Sequence, residues 1–248
     1  MNAIYVMWLR QVKRYVRSKP RIIASLGQPL MFLLSFGFGF GGLFKSAGQG
    51  DYIQFLAPGI IGMTVLFTAL FSGIELIWDR QFGFLKETLV APVPRLMIMI
   101  GRTLGGATVA MIQGGIVIVI CFITGFRVTT WGSVPLALVF MILIAVMFTA
   151  LGTAIAAKLS DFQGFQLVMN FLVMPIFFLS GALFPLSTVP KALQVIASVD
   201  PLAYGVDGLR AALTGVAHYG IALDLGVLVV ITAALLLLGG HLFSKIEL

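Results

Sequence analysis

Six runs of mostly apolar residues constrain this chain more than any other feature. They cover roughly 22–44, 56–77, 98–125, 134–157, 166–186 and 221–243. A helix needs about 20 such residues to cross the hydrocarbon core, where every backbone N–H and C=O must be satisfied within the segment. The runs predict an all-α integral membrane protein with six transmembrane helices. A 60% hydrophobic content agrees, and no polar stretch is long enough for a separate soluble domain, so residues 1–248 read as one transmembrane domain. About twenty residues with six Lys/Arg precede the first run, which is long enough to stay in the membrane and so does not read as a cleaved secretory signal.

Six crossings place both termini on one side. That side collects Arg10, Lys13, Arg14, Arg17, Lys19, Arg21, Arg80, Lys86, Arg95, Arg102, Lys158 and Lys245; the other side has Lys45, Arg127, Lys191 and Arg210. Twelve cations against four make the first side cytoplasmic. The expectation is a multi-pass protein of the cell (plasma or inner) membrane with cytoplasmic N- and C-termini. The net charge of +7 then serves orientation, and no nucleic-acid partner is expected.

Residues 1–21 read as an amphipathic interfacial helix. On a helical projection Ile4, Trp8, Val12 and Tyr15 fall beside Tyr5, Leu9 and Val16, and Arg10, Lys13, Arg14 and Arg17 cluster opposite. Such a helix is expected along the membrane surface, rings in the lipid and cations near anionic headgroups, so membrane lipids count among the partners. The cations serve either as a plain anchor or for docking. Pro20 marks a break before the first span.

Within the spans, Glu75 is the clearest ionisable candidate, either as an intramembrane functional acid or as an interfacial group reaching Arg80 or water. Gln113, Asn170 and Gln166 read as interhelical hydrogen-bond partners or else as ligand groups. The glycines at 37–42 and in "GRTLG" (Gly101–Gly105) offer small faces for close helix contact, and Pro175 is expected to kink or unwind the fifth span. No catalytic or metal site is expected: the two histidines, His218 and His241, fall on opposite sides, and the single cysteine, Cys121, sits in an apolar run. No glycine is followed by lysine, so the chain lacks a P-loop, and any ATP would be bound by another chain.

Two further stretches are too polar to span. Residues 187–220 contain two short helical patterns, Pro190–Val199 and Leu202–Thr214, with Asp200 capping the second, Pro201 in its first turn and Tyr204 following. Asp207 and Arg210 are spaced to pair. The segment reads as an external re-entrant hairpin between spans five and six, or as a surface helix pair. Residues 78–97 contain "DRQFGFLKETLVAPVPR", in which Phe82, Phe84 and Leu85 offer apolar contact, Arg80, Lys86 and Glu87 offer charge, and Pro92 and Pro94 stiffen the exit. It reads as a rigid cytoplasmic handle or as a solvated turn.

Together with "DPLAYGVDGLRAAL", this stretch resembles the membrane subunits of type-2 ABC exporters, similar to the daunorubicin-resistance and nodulation-exporter permeases, over essentially the whole chain. The resemblance implies a coupling helix between spans two and three, matching Arg80, Gln81, Phe82, Gly83, Phe84, Leu85, Lys86, Glu87 and Thr88, that fits a groove on an ATP-binding subunit. It implies two copies of that subunit, which hold ATP and Mg, and a second copy of this chain around the pathway. No cofactor is then expected in this chain, which would be a permease subunit rather than an enzyme. The family's Arg-Glu pair ahead of Phe-Gly is Arg80-Gln81 here, so a salt bridge at that point is in question. The implied function is ATP-driven export of a drug, lipid-linked or amphipathic substrate. An ion-gradient-driven secondary transporter or a non-transporting scaffold stands as the alternative.

Overall fold

The computed structural model describes residues 3–46, 48, 50–90, 92–129, 131–159 and 161–244. Lys245, counted above for orientation, lies outside them. Among the described residues all regular structure is helical: α1 (Ala3–Arg17), α2 (Lys19–Ser46), α3 (Tyr52–Phe71), α4 (Ile74–Gln81), α5 (Phe84–Val90), α6 (Arg95–Ile123), α7 (Val134–Lys158), α8 (Phe162–Leu179), α9 (Lys191–Val199), α10 (Pro201–Thr214) and α11 (Ile221–Ser244). Among the described residues six segments are long and apolar enough to cross a membrane: α2, α3 with α4, α6, α7 with the short turn before it, α8 and α11.

Local chemistry sets many boundaries. Asp51, Asp161 and Asp200 cap α3, α8 and α10, their carboxylates accepting from the backbone N–H of Ile53, Gly164 and Leu202. The Asp200–Pro201 cap is where the sequence puts it. The second span is not one helix. It breaks at Ser72–Gly73, where the backbones of Gly73 and Gly152 come so close that a side chain on either would collide with the facing helix. The fifth span ends at Leu179, and Pro175 does not unwind it; the helix runs on through that residue.

The core is built by α3, α6, α7 and α10, with α11 packed on α6 and α7. Leu56, Ile60, Leu66, Phe140, Phe148 and Val206 are fully enclosed in it. Helix α10 is buried along nearly its whole length between α3, α7 and α11, whereas α9 is largely exposed, with Ala197 its buried residue. It closes the end opposite to α4 and α5.

Helix α1 lies along α6, burying Met7, Gln11 and Tyr15 and leaving Tyr5, Val6 and Val16 exposed. A Cβ at Gly101 would stand 2.8 Å from the carbonyl of Ile4, and one at Gly105 would stand 2.6 Å from Gln11, so these glycines let the backbones meet. Trp8 Nε1 donates to Thr108 Oγ1 at 2.9 Å and the Tyr15 hydroxyl donates to Gln113. The expected small face at Gly101–Gly105 is real. In the 37–42 run only Gly37 is in contact, with Ile53.

Candidate functional site

Helix α4 carries Glu75 and Asp79 one turn apart, both buried, and α1 carries Arg10 and Arg14 at the same spacing. The two ladders meet. Arg10 grips Asp79 with both terminal nitrogens, at 2.7 and 3.1 Å. Arg14 reaches Glu75 at 3.4 Å and Asp79 at 3.5 Å, and Arg21, from the first turn of α2, reaches Glu75 at 3.0 Å. From α6, the fully buried Arg102 closes on the other oxygen of Asp79. Four guanidinium groups thus bind two carboxylates and tie α4 to α1, α2 and α6. Glu75 therefore pairs with Arg14 and Arg21, not with Arg80.

Arg80 has different work. Its guanidinium donates to the carbonyls of Leu159 (3.0 Å) and Ala157 (3.2 Å), the unsatisfied acceptors at the end of α7. Gln81 is exposed, and Arg80 is held by these carbonyls and not by a carboxylate at position 81. Phe82 caps α4, and Gly83, at φ +78°, turns the chain into α5. The sequence suggested that Phe82, Phe84 and Leu85 face outward together. Leu85 is instead buried in the chain's own core, whereas Phe84 stays 36% exposed beneath Arg10, whose guanidinium carbon is 3.7 Å from the ring centroid. Phe82, 83% exposed, projects with exposed Gln81, Lys86 and Glu87. Thr88 Oγ1 bonds back to the Phe84 carbonyl at 2.9 Å. Trp78 stacks on Phe162 of α8, so α4 touches that helix as well.

The α9–α10 residues assemble at the opposite end, but not as one charge pair. Asp207 accepts from the backbone N–H of His218 (2.8 Å) and Tyr219 (2.7 Å). Arg210 donates to the Gly181 carbonyl at 2.9 Å and lies 4.0 Å above the Phe55 ring. The expected Asp207–Arg210 bridge gives way to these separate anchors, because each group finds orphaned backbone partners where two chain segments turn. Burial draws the Arg210 guanidinium down to about 10, with Asp207 opposing. Burial pushes the Asp200 carboxyl up to about 7, against the hydrogen bond from Leu202. Tyr204 donates to the Ser198 carbonyl at 2.7 Å and stacks on Tyr219.

Of the polar span residues, Gln113 is enclosed and accepts from Tyr15. Asn170 and Gln166 are exposed on α8 and have no hydrogen-bond partner among the described residues, contrary to the interhelical bonds expected of them. Among the described residues, no three His, Cys, Asp or Glu side chains stand together as a metal site.

A sequence model described as ABC-2 type transporter matches residues 2–214. The inner membrane transport permease YadH of Escherichia coli (strain K12) is 29% identical over 250 residues, covering 98% of this chain and 95% of that protein. Nodulation protein J of Rhizobium leguminosarum bv. viciae is 28% identical over 209 residues, covering 84% of this chain and 80% of that protein.

Proposed function

Because the chain belongs to the ABC-2 type transporter family and is a multi-pass membrane permease, we propose that it is one half of a homodimeric exporter driven by two separate ATP-binding subunits. ATP and its magnesium stay on those subunits. The end bearing α1, α4 and α5 faces the cytoplasm, with both termini, in keeping with its excess of cations. The α4–α5 corner is the coupling element: Gln81, Phe82, Lys86 and Glu87 meet the ATP-binding subunit, and Leu85 and Phe84 hold the corner to the permease.

One observation carries this reading. The exposed corner is joined to the bundle by charge on three sides: Asp79 to α1 and α6, and Arg80 to the end of α7. A solvated turn has no use for such anchoring. A lever does, because displacement at Phe82 then reaches the spans instead of being absorbed locally. The pathway lies between two copies, along α2, α3 and α8. An aromatic groove of about 500 Å³ near its outer end, formed by Phe36, Phe40, Phe44, Tyr52, Phe178 and Phe184, suits an amphipathic or lipid-linked substrate. The α9–α10 pair caps that end as a re-entrant element.

The test is co-purification with a P-loop ATP-binding subunit co-expressed with this chain. Phe82→Asp removes an exposed aromatic contact and adds like charge near Glu87, and recovery of the ATPase is expected to fall by at least about tenfold, the scale of an interface anchor. The unfolding temperature of the permease should not change. Full recovery with Phe82→Asp refutes the coupling role of the corner.

A further inference from the structure

The ion network on α4 does not balance. Arg10, Arg14, Arg21 and Arg102 share only Asp79 and Glu75, leaving an excess of two positive charges. Lys13 and Arg17 add two more on the same helix, without an acidic partner among the described residues. Arg10, Lys13, Arg14, Arg17, Ser18 and Pro20 surround an open concavity of about 620 Å³ at the elbow where α1 turns into α2. Arg14 is held loosely, its two contacts at 3.4 and 3.5 Å against 2.7 Å for Arg10, so its planar donors remain usable.

The elbow also stands at a definite depth. Counting about 20 residues back along α6 from Ile123 reaches Thr103, so Arg102 and the network around it mark the edge of the hydrocarbon core. Two apolar side chains of the same α1–α2 segment are bare: Val16 is 56% exposed and Ile23 71% exposed. A soluble anion gains nothing from Val16 and Ile23. A lipid has a phosphate for the cations and acyl chains for these residues.

We propose that the α1–α2 elbow is a binding site for the headgroup phosphate of an anionic phospholipid, with Arg14, Arg17 and Lys13 as its cationic donors and the Ser18 hydroxyl as a neutral one. Arginine's fork matches two phosphate oxygens at once, and basic pockets beside membrane helices hold such headgroups by this chemistry. The lipid neutralises the surplus charge and fixes the elbow against which α4 is braced.

The experiment follows thermal unfolding of the full chain in detergent with added lipid. Phosphatidylglycerol is expected to raise the unfolding temperature by about 2–4 °C over the same amount of phosphatidylcholine. The double variant Lys13→Gln/Arg17→Gln should lose at least half of that increment while unfolding like the parent in phosphatidylcholine. Lys158→Gln, which removes an exposed cation from the end of α7, should keep the whole increment. The proposal is overturned if the double variant gains as much as the parent, if the Lys158 variant loses as much as the double variant, or if oleate, an anionic amphiphile without phosphate, works equally well. An equal gain from inorganic phosphate overturns the lipid as the source. No ATP-binding subunit enters the measurement, so its failure leaves the transport reading standing.

Discussion

Asp79→Asn isolates the charge at the centre of the network, because asparagine has the same shape and keeps an acceptor oxygen. Arg102 suffers most: its side chain is 3% exposed and Asp79 is its direct ion-pair partner. Removing one member of a buried pair costs about 3–5 kcal/mol, chiefly because the other is left enclosed and uncompensated. Arg10 and Arg14, 23% and 36% exposed, are screened by solvent and add only about 0.2–1 kcal/mol each. A loss of roughly 3–7 kcal/mol at about 2–4 °C per kcal/mol predicts an unfolding temperature lower by about 6 °C at the least and by as much as about 28 °C. The reverse deletion is milder, since Arg102→Met leaves Asp79 with Arg10 and Arg14. Combining the two removes the stranded cation and should restore much of the lost stability, which makes the cycle strongly non-additive. The assay is thermal unfolding of the four purified full-length proteins in one detergent. A drop below about 2 °C for Asp79→Asn, or additive losses in the double variant, refutes the idea that this ion pair braces α4.

Three other outcomes follow from the same geometry. Leu85→Ala removes an enclosed side chain of α5 and should cost the permease about 2–5 kcal/mol in thermal unfolding, in contrast to Phe82→Asp, whose effect is confined to ATPase recovery. The folded-state pKa of Asp200, at about 7, lies above its ordinary value of 3.8, so between those values the native state binds more protons and this group's contribution falls as pH rises, levelling off above pH 7; Asp200→Asn keeps the cap and should flatten that part of an unfolding-temperature profile taken from pH 4 to 8. Phe171→Cys on α8, 85% exposed, should give disulfide-linked dimers on mild oxidation, whereas Leu237→Cys on α11, 77% exposed, should not; the native Cys121 is buried and leaves the background clean.

What could be read from the sequence was local. Span lengths follow from runs of apolar residues and the start of α10 from its cap Asp200, whereas Asp51 and Asp161 start α3 and α8 four residues ahead of the apolar runs at 56 and 166. The small face of α6 was visible as Gly101 and Gly105. What stayed hidden were partners distant in the chain. The cations of α1 read as lipid-facing because nothing near them is acidic, whereas the carboxylates that take Arg10 and Arg14 lie more than sixty residues away. A signal was nonetheless present, since Arg10/Arg14 and Glu75/Asp79 repeat the same one-turn spacing with opposite sign. The break at Ser72–Gly73 had no such signal; it depends on Gly152, and no periodicity within the second span announces a contact with the fourth. Leu85 was misplaced for a related reason. A short amphipathic helix shows which residues are apolar, but not whether its own bundle or another protein covers them.

Burial is shared unevenly among the six crossings, and this bears on where movement resides. In the α3–α4 span 78% of the apolar window is buried inside the chain, against 17% in α2, 22% in α8 and 17% in α11. Bare apolar surface alone says little in a bilayer, because lipid covers it as well as protein does. The positions of the bare helices say more. Phe177 of α8 meets both Phe32 of α2 and Phe67 of α3, so α2 and α8 flank the most buried span on one side, and α11 lies on α6 and α7. Contacts from α8 to the rest are few, yet one of them, Trp78 on Phe162, comes from α4 itself. The helix fixed by charge to α1, α6 and α7 therefore also touches this sparsely contacted span, the Trp78–Phe162 stack among the contacts. If the α5 corner couples as proposed, a push on it meets a rigid body in one direction and a loosely held helix in the other, and α8 is the helix expected to yield.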